Sequence, residues 1–467
     1  MKLKKYSLLL IAAALFIGGC KKGNYDLFDP ESISEANAFQ TLDHVQLGVN
    51  GAFGRYGAYT SQVYAGALVS DESKIGADNG GQGALTFRYQ FSADATTGGD
   101  VTPAWAQFYS VIDQCNRVLP KIPLVTATPD QEYRRDILKG QLLALRGISL
   151  FGALQMYCKN WDPADPMGVP VLTSADPLAK PARNTQLETM TQIENDLAAA
   201  KLLLPAVTPA TFSDTVMNRV NIAAYQARIA LHKGDYNGAI AFATEVINSN
   251  VKPLVSGANF SGIWTDANFN ESLFRVRYLT LTNLGGLWTT TGNLVYISPS
   301  DKLVATYSAS DVRKAAYIGT LSGKPVVNKH FTSSRGGRIV DLKACRTAEM
   351  YLIRAEAYAK KGAAADVLLG AADLNFLRSN RITGYVNVVF GTAADLLTAT
   401  LDERYKELCF EGFRFWDLRR NNLPVARLAS DASPDWQNLP ANSFRFILPI
   451  PQREIDANHN VIQNTGY

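Results

Sequence analysis

Residues 137–157, ILKGQLLALRGISLFGALQMY, carry Leu138, Leu142 and Leu145 on one stripe and Ile137, Ala144, Ile148 and Phe151 on the next. Apolar positions spaced by three and four predict a helix with a broad buried face. The segment 221–249, NIAAYQARIALHKGDYNGAIAFATEVINS, shows the same period twice. Ile222, Tyr225 and Ile229 set it, Gly234-Asp235 interrupts it, and Ile240, Ala243 and Ile247 restart it. Two helices of about 12 residues with small residues at their contacts predict a helical hairpin, the unit of tetratricopeptide-type repeats. Segment 348–380 repeats the design, with Gly362 near the break. The spacing is only loosely kept, so these are degenerate repeats.

Between the helical blocks the pattern dissolves. Residues 71–104 contain DNGGQG, TTGGD and a proline, and residues 280–300 contain NLGG, TTTGN and SPS. Long loops of this kind in a compact protein are more often functional than decorative. Segment 272–281 alternates Phe274, Val276 and Tyr278 with Arg275 and Arg277, which predicts a strand with one wet face. The expected fold is mainly α, a scaffold of helical hairpins with long loops and a small amount of β structure.

The N-terminus changes the picture. Lys2, Lys4 and Lys5 precede an uncharged apolar run over 6–17, and Gly18, Gly19 and Cys20 follow. The run is too short to span a bilayer core, which needs roughly 20 apolar residues, and reads as a secretory leader over 1–19. The Ile-Gly-Gly-Cys ending resembles the lipobox of bacterial lipoproteins, so Cys20 is expected to carry lipid. Residues 20–36 are polar and proline-interrupted, as suits a linker leaving a membrane. No later stretch reads as long and apolar enough to cross one, so the expectation is a globule held at a membrane surface. Within it, 37–265 forms an N-terminal region and 266–467 a C-terminal region of the same globule. Without the three leader lysines, 43 Lys and Arg face 42 Asp and Glu, a balance too even for a nucleic-acid binder. Cys115, Cys158, Cys345 and Cys409 form no C-x-x-C pair and sit in apolar contexts, as buried free thiols do.

Catalytic chemistry finds little support. His44, His232, His330 and His459 are scattered without ligand spacing, so no metal site is expected. No phosphate loop, nucleophile elbow or cofactor fingerprint is complete, and DPADPMG (162–168) lacks the ligand alternation of a calcium loop. Glu407 and Glu411, four apart in a helical pattern, would lie about 5–6 Å apart, near the carboxyl spacing of retaining glycosidases. They sit among Arg404, Arg414, Arg419 and Arg420 and a core-like cluster of Phe410, Phe413, Phe415 and Trp416, so structural pairing is the better reading. Binding remains. Sugars present C–H faces to flat rings and hydroxyl rims to polar side chains. Asp71, Asp78, Asn79, Arg88 and Tyr89 on the first loop region, with Trp288 and Tyr296 on the second, are the candidate ligand contacts. Trp105, in a helical pattern with Phe108 and Tyr109, reads as core, and Trp264 is undecided.

Two segments near the end, ERYKELCFEGFRFWDLRR (403–420) and ILPIPQREIDANHNVIQNTGY (447–467), resemble hallmark stretches of the SusD/RagB family. AEMYLIRAEAYAKKG (348–362), AADLNFLRSNR (371–381), NESLFRVRY (270–278), WAQFYSVIDQCNRVL (105–119) and ANAFQTLDHVQLGVNGAFGRYG (36–57) are similar to further family stretches, in family order. The resemblance implies an outer-membrane lipoprotein that binds glycans without catalysis. It would deliver them to a SusC-like TonB-dependent transporter met through the helical-repeat surface. A RagB-like peptide receptor is the alternative it leaves open. Surface-exported members often carry acids just after the lipidated cysteine; here Lys21 and Lys22 follow, and Asp26 comes later.

Overall fold

A computed structural model describes residues 38–280 and 284–467. The leader over 1–19, Cys20, the linker over 20–36 and residues 281–283 of the second loop region lie outside the described residues. The fold is mainly α, built of helical hairpins with four two-stranded antiparallel sheets among the described residues. The helices that carry it are α1 (Leu42–Arg55), α2 (Ala58–Val69), α3 (Pro103–Val118), α4 (Glu132–Tyr157), α5 (Gln186–Leu203), α6 (Arg219–Lys233), α7 (Tyr236–Ser249), α8 (Thr347–Lys361), α9 (Ala364–Ser379), α10 (Ala393–Glu407) and α11 (Arg414–Arg420). The strands are β1 (Ser73–Ile75), β2 (Ser272–Val276), β3 (Ile297–Pro299), β4 (Ile318–Leu321), β5 (Lys324–Val327), β6 (Leu342–Arg346), β7 (Val425–Ala426) and β8 (Asn438–Leu439). They pair β1–β3, β2–β6, β4–β5 and β7–β8.

The hairpin α6–α7 forms as its sequence pattern requires. Gly234 closes α6 in the left-handed region (φ 75°), and Asp235 opens α7 by accepting from the Gly238 N–H. An L side chain in place of Gly234 would be strained there, so the break falls at glycine. Gly362 (φ 80°) ends α8 in the same way ahead of α9. Helix α7 packs on α8, α8 on α9 and α10, and α4 between α3 and α5, giving a stacked helical array. Helix α4 corrects one expectation: by length and composition it is apolar enough to span a bilayer. It is nevertheless a core helix, with 89% of its most apolar window buried. One apolar core runs from Leu42 to Val461, and Tyr225 of α6 meets Phe274 of β2 at 6.3 Å. Cys115, Cys158, Cys345 and Cys409 are buried and unpaired.

Glu407 and Glu411 do not share a helix. Helix α10 ends at Glu407, and the chain turns through Phe410 (φ 60°) and Gly412 (φ 83°) into α11. A Cβ at Gly412 would come within 3.3 Å of the Val63 backbone on α2, so this turn is wedged against the core. Its carbonyls are satisfied by side chains from distant segments. Lys329 donates to those of Glu407 and Cys409, Tyr59 to that of Glu411, and His330 Nε2 lies 3.0 Å from that of Phe410.

Around the turn lies a buried ion network. Arg346 bonds Glu411 (2.7 Å), Glu407 (3.0 Å) and Glu271 (3.3 Å); Arg381 bonds Glu271 (2.8 Å) and Glu407 (3.1 Å). Arg313 bonds Asp311 (2.8 Å), Glu403 (2.5 Å) and Glu407 (3.2 Å), while Arg378 completes Glu403 and Lys329 completes Glu411. With Lys406 3.8 Å from Glu403, five acids thus face six bases, which is what permits so much charge inside a protein. Burial alone would raise the Glu403 carboxyl, but Arg313, Lys406 and Arg378 hold it at about 2. Glu407 is likewise held well below the usual range, burial being outweighed by Arg381, Arg346 and Arg313. Below the ordinary glutamate range the unfolded chain takes up protons these groups refuse. Stability should therefore fall as pH drops from about 5 toward 2, which urea titrations across that window measure.

Glu72, between α2 and β1, runs the other way. It is buried, and neither carboxyl oxygen completes a well-formed hydrogen bond among the described residues. Burial pushes it up to about 8, only partly offset by the nearby Phe410 backbone and the Lys329 charge. The folded protein keeps this proton while the unfolded chain loses it, so stability declines between the ordinary glutamate range and pH 8. Glu72→Gln should stabilise the protein at pH 7 by on the order of 2 kcal/mol and leave it unchanged at pH 4. Equal stabilisation at both pH values in thermal melts would contradict the assignment.

Candidate functional site

The two loop regions that stand out in the sequence are brought together by β1 and β3, with Ser73 opposite Pro299 and Ile75 opposite Ile297. The pairing continues past the strands. Gly76 N–H donates to the Tyr296 carbonyl (2.8 Å), Val295 N–H to Asp78 Oδ2 (2.8 Å), and the Asn79 side-chain amide to the Tyr296 carbonyl (2.9 Å). Lys324 of β5 clamps both Asp78 oxygens at 2.6 and 2.8 Å. Those Lys324 and Val295 bonds hold the Asp78 carboxyl below its usual range. Asp78 and Asn79 therefore fasten one loop to the other.

Beside this junction runs a groove of about 320 Å³, lined by Ile75, Phe87, Arg88, the 429–433 segment and Trp436. Its volume falls at the lower end of small-molecule clefts, roughly 300–1,000 Å³. The far wall is a loop closed at its base by β7 and β8. Pro434–Trp436 forms a single 3₁₀ turn there, and Arg427 donates to the Trp436 carbonyl (3.0 Å). The same guanidinium also holds the carbonyls of Phe87 (2.7 Å), Leu68 (2.7 Å) and Ser70 (2.9 Å), tying both walls together from beneath. Asp431 accepts the backbone N–H groups of Asp301 (2.6 Å) and Lys302 (3.2 Å), pinning the loop to the segment after β3. The groove is preformed, which lowers the ordering cost of binding. Trp436 is half-buried, Arg88 is exposed, and the Arg88 guanidinium has no partner among the described residues.

The candidate ligand contacts divide on this geometry. Arg88 lines the groove, and Tyr296 is half-buried at the loop junction. Asp71, Tyr89 and Trp288, expected on the open loops, stand inside the fold. Asp71 is spent on Arg414 (2.7 Å) and Lys302 (2.7 Å) and orders the loop from behind. Tyr89, at φ 58°, donates to the Val69 carbonyl. Trp288, 1% exposed, meets Tyr64 and Phe410 edge-on at 5.6 Å each and packs 5.1 Å from His330. A glycine-rich surrounding suggested an exposed ring, but the short helical turn at Gly285–Leu287 folds the indole inward. Trp105 and Trp264 are also core, the latter under the Lys329, Lys343 and Arg346 charges. Trp436 was missed. Its one sequence signal was a lone indole in a turn-rich stretch, SPDWQNLPANS, that has no apolar period.

A larger cavity, about 430 Å³, opens between α1 and β2, lined by Phe53, Tyr56, Phe274, Arg275, Arg277 and Tyr278 among others. Its Arg275 is neutralised by Asp214 (2.9 Å) and Asp341 (2.5 Å), and Tyr56, Phe274 and Tyr278 are buried. Its Arg277 is exposed and without an ion pair among the described residues, as Arg88 is, but no indole lines this cavity.

Residues 277–467 match the model of the SusD family, and residues 31–231 match one described as starch-binding associating with outer membrane. Together the two take in nearly the whole helical scaffold and both hallmark segments. The chain belongs to the SusD family. SusD-like protein P2 of Formosa agariphila is 24% identical over the full length of both chains. A crystal structure of a SusD superfamily protein from Bacteroides thetaiotaomicron superposes with a TM-score of 0.80 at 26% identity, over 91% of this chain and 99% of that one. The structure of a laminarin-binding SusD-like protein shares the fold at 20% identity, with a TM-score of 0.68 over 92% and 100% of the two chains. The SusD scaffold accounts for the helical array and its small sheets, and the junction of β1 and β3 places the candidate groove on it.

Proposed function

We propose that this SusD-family chain is a lipid-anchored, non-enzymatic glycan-binding protein of the outer membrane. It passes its ligand to a SusC-like TonB-dependent transporter. The observation that carries the reading is the groove lined by both the unpaired Arg88 and the half-buried Trp436. A flat indole suits the C–H face of a sugar, and a guanidinium fan suits its oxygen rim. The starch-binding description of the family model and the laminarin-binding neighbour support the same ligand class. Catalysis by Glu407 and Glu411 is disfavoured because both carboxyls are enclosed and spent on Arg313, Arg346, Arg381 and Lys329.

A glycan array run beside a peptide pool tests the ligand class: retention of oligosaccharides is expected. Strong peptide binding with no glycan hit would replace this reading with the peptide-receptor one. Lipidation at Cys20 predicts incorporation of radioactive fatty acid that Cys20→Ala abolishes. With Lys21 and Lys22 next in sequence, protease shaving of intact cells decides which way the anchor faces.

The helical-repeat surface proposed to meet the transporter is that of α9 and the loop after it. Leu368, Leu369 and Phe376 of α9 are exposed, and Val386 and Val389 on the following loop are more so. Leu369 and Phe376 are seven residues apart and so share one face of α9, and exposed apolar patches mark interaction sites. Leu369→Glu with Phe376→Glu should weaken transporter binding about a thousandfold, read as loss of co-purification, and leave glycan affinity unchanged, since two hot-spot contacts of about 2 kcal/mol each are removed. Unaltered co-purification would move the interface elsewhere.

A further inference from the structure

We infer that the Arg88–Trp436 groove selects acidic sugar residues, carrying a carboxylate or sulfate, over neutral ones. This deepens the glycan-binding reading above and rests on it. The argument is one of uncompensated charge. Many buried or half-buried arginines elsewhere are matched to acids, as Arg146 is to Asp196 (2.6 Å) and Arg354 to Asp373 (2.6 Å), while Arg419 bonds backbone carbonyls. The two guanidiniums at this groove are not matched to acids. Arg88 at the rim is exposed and forms no ion pair among the described residues. Arg427 beneath the floor bonds carbonyl oxygens alone, those of Leu68, Ser70, Phe87 and Trp436.

The groove's own acid does not offset them. Asp431 has a fully buried side chain, its oxygens accept from the backbone N–H groups of Asp301 and Lys302, and its charge is faced by Lys74 at 4.0 Å. Of the other acids nearby, Asp301 is bonded to Lys74 (2.5 Å) and Asp71 is shared between Arg414 and Lys302. Asp435 is exposed and is not among the lining residues. A ligand therefore meets the Arg88 cation at the rim, with Trp436, Ser430 and Ser433 also lining the groove and the buried Arg427 behind its wall. A neutral sugar can accept hydrogen bonds from Arg88, but an anionic substituent makes a charge-assisted, bidentate contact roughly twice as strong. The Coulomb attraction of Arg427 adds to it through a partly desolvated wall.

The test uses an array of matched oligosaccharide pairs: uronate-containing chains beside their carboxyl-reduced counterparts, and sulfated chains beside desulfated ones. Titration calorimetry of each hit follows, on the full-length mature protein and on Arg88→Gln. The expected result is binding of acidic members about tenfold tighter than their neutral partners. The difference should shrink as salt is raised and be lost in Arg88→Gln, whose thermal melt stays unchanged because the side chain is exposed. Equal or tighter binding of the neutral members, or an acidic preference that survives Arg88→Gln, would overturn the inference while leaving the glycan reading standing. Failure of every glycan, acidic and neutral, would instead overturn the reading on which it rests. Capture of acidic peptides through Arg88 without any glycan would do the same.

Discussion

Glu407→Ala is expected to lower the folding free energy by about 3–5 kcal/mol, the cost of removing one partner from a buried ion network. Most domains are stable by roughly 5–15 kcal/mol, so the variant should sit near the edge of folding. The reason is particular to this residue. Its two oxygens take bonds from Arg313, Arg346 and Arg381, all fully buried, and its removal leaves three guanidiniums with too few acids. The Glu407 carbonyl is a further node, accepting from Lys329, Tyr317 and Arg346 at the end of α10. Urea denaturation followed by circular dichroism measures the loss. A variant as stable as the wild type would show that the network does not hold the α10–α11 turn. A folded variant that had lost a hydrolytic activity would revive the catalytic reading of this pair.

Trp436→Ala should cost about 2 kcal/mol of glycan binding or more, roughly a thirtyfold loss of affinity or greater, as aromatic hot spots do. Folding stability should change little, within about 0.5 kcal/mol, because the ring is half-buried on a loop and the core lies elsewhere. The loop itself should keep its shape. What pins it are the Asp431 bonds to the backbone of Asp301 and Lys302 and the Arg427 bond to the Trp436 carbonyl, none of which involves the indole. Binding that survives the substitution in titration calorimetry would remove Trp436 from the site.

The helical hairpins were legible because their signals are local. Gly234 and Gly362 interrupt an apolar period where the chain must reverse, and the structure turns at both. The two loop regions were legible as loops by composition, but nothing local could show that β1 and β3 zip them together, since that pairing spans more than two hundred residues. The same limit explains the candidate contacts. Asp71 looks like a free loop acid until Arg414, 343 positions later, closes on it. Trp288 looks like a platform until Tyr64 and Phe410 enclose it. Glu407 and Glu411 have helical spacing, yet the positive φ angles of Phe410 and Gly412 end the helix between them. Trp436 lay between the two hallmark segments in a stretch without periodicity, so only its tertiary position beside Arg88 reveals it.

A crystal structure with an oligosaccharide hit bound tests whether the groove between Arg88 and Trp436 is the glycan site. The expected electron density is a sugar ring lying flat on the Trp436 indole with an oxygen substituent at hydrogen-bond distance from Arg88. A sugar seated instead in the cavity between α1 and β2, against Phe53 and Arg277, with the Trp436 groove empty, would contradict it.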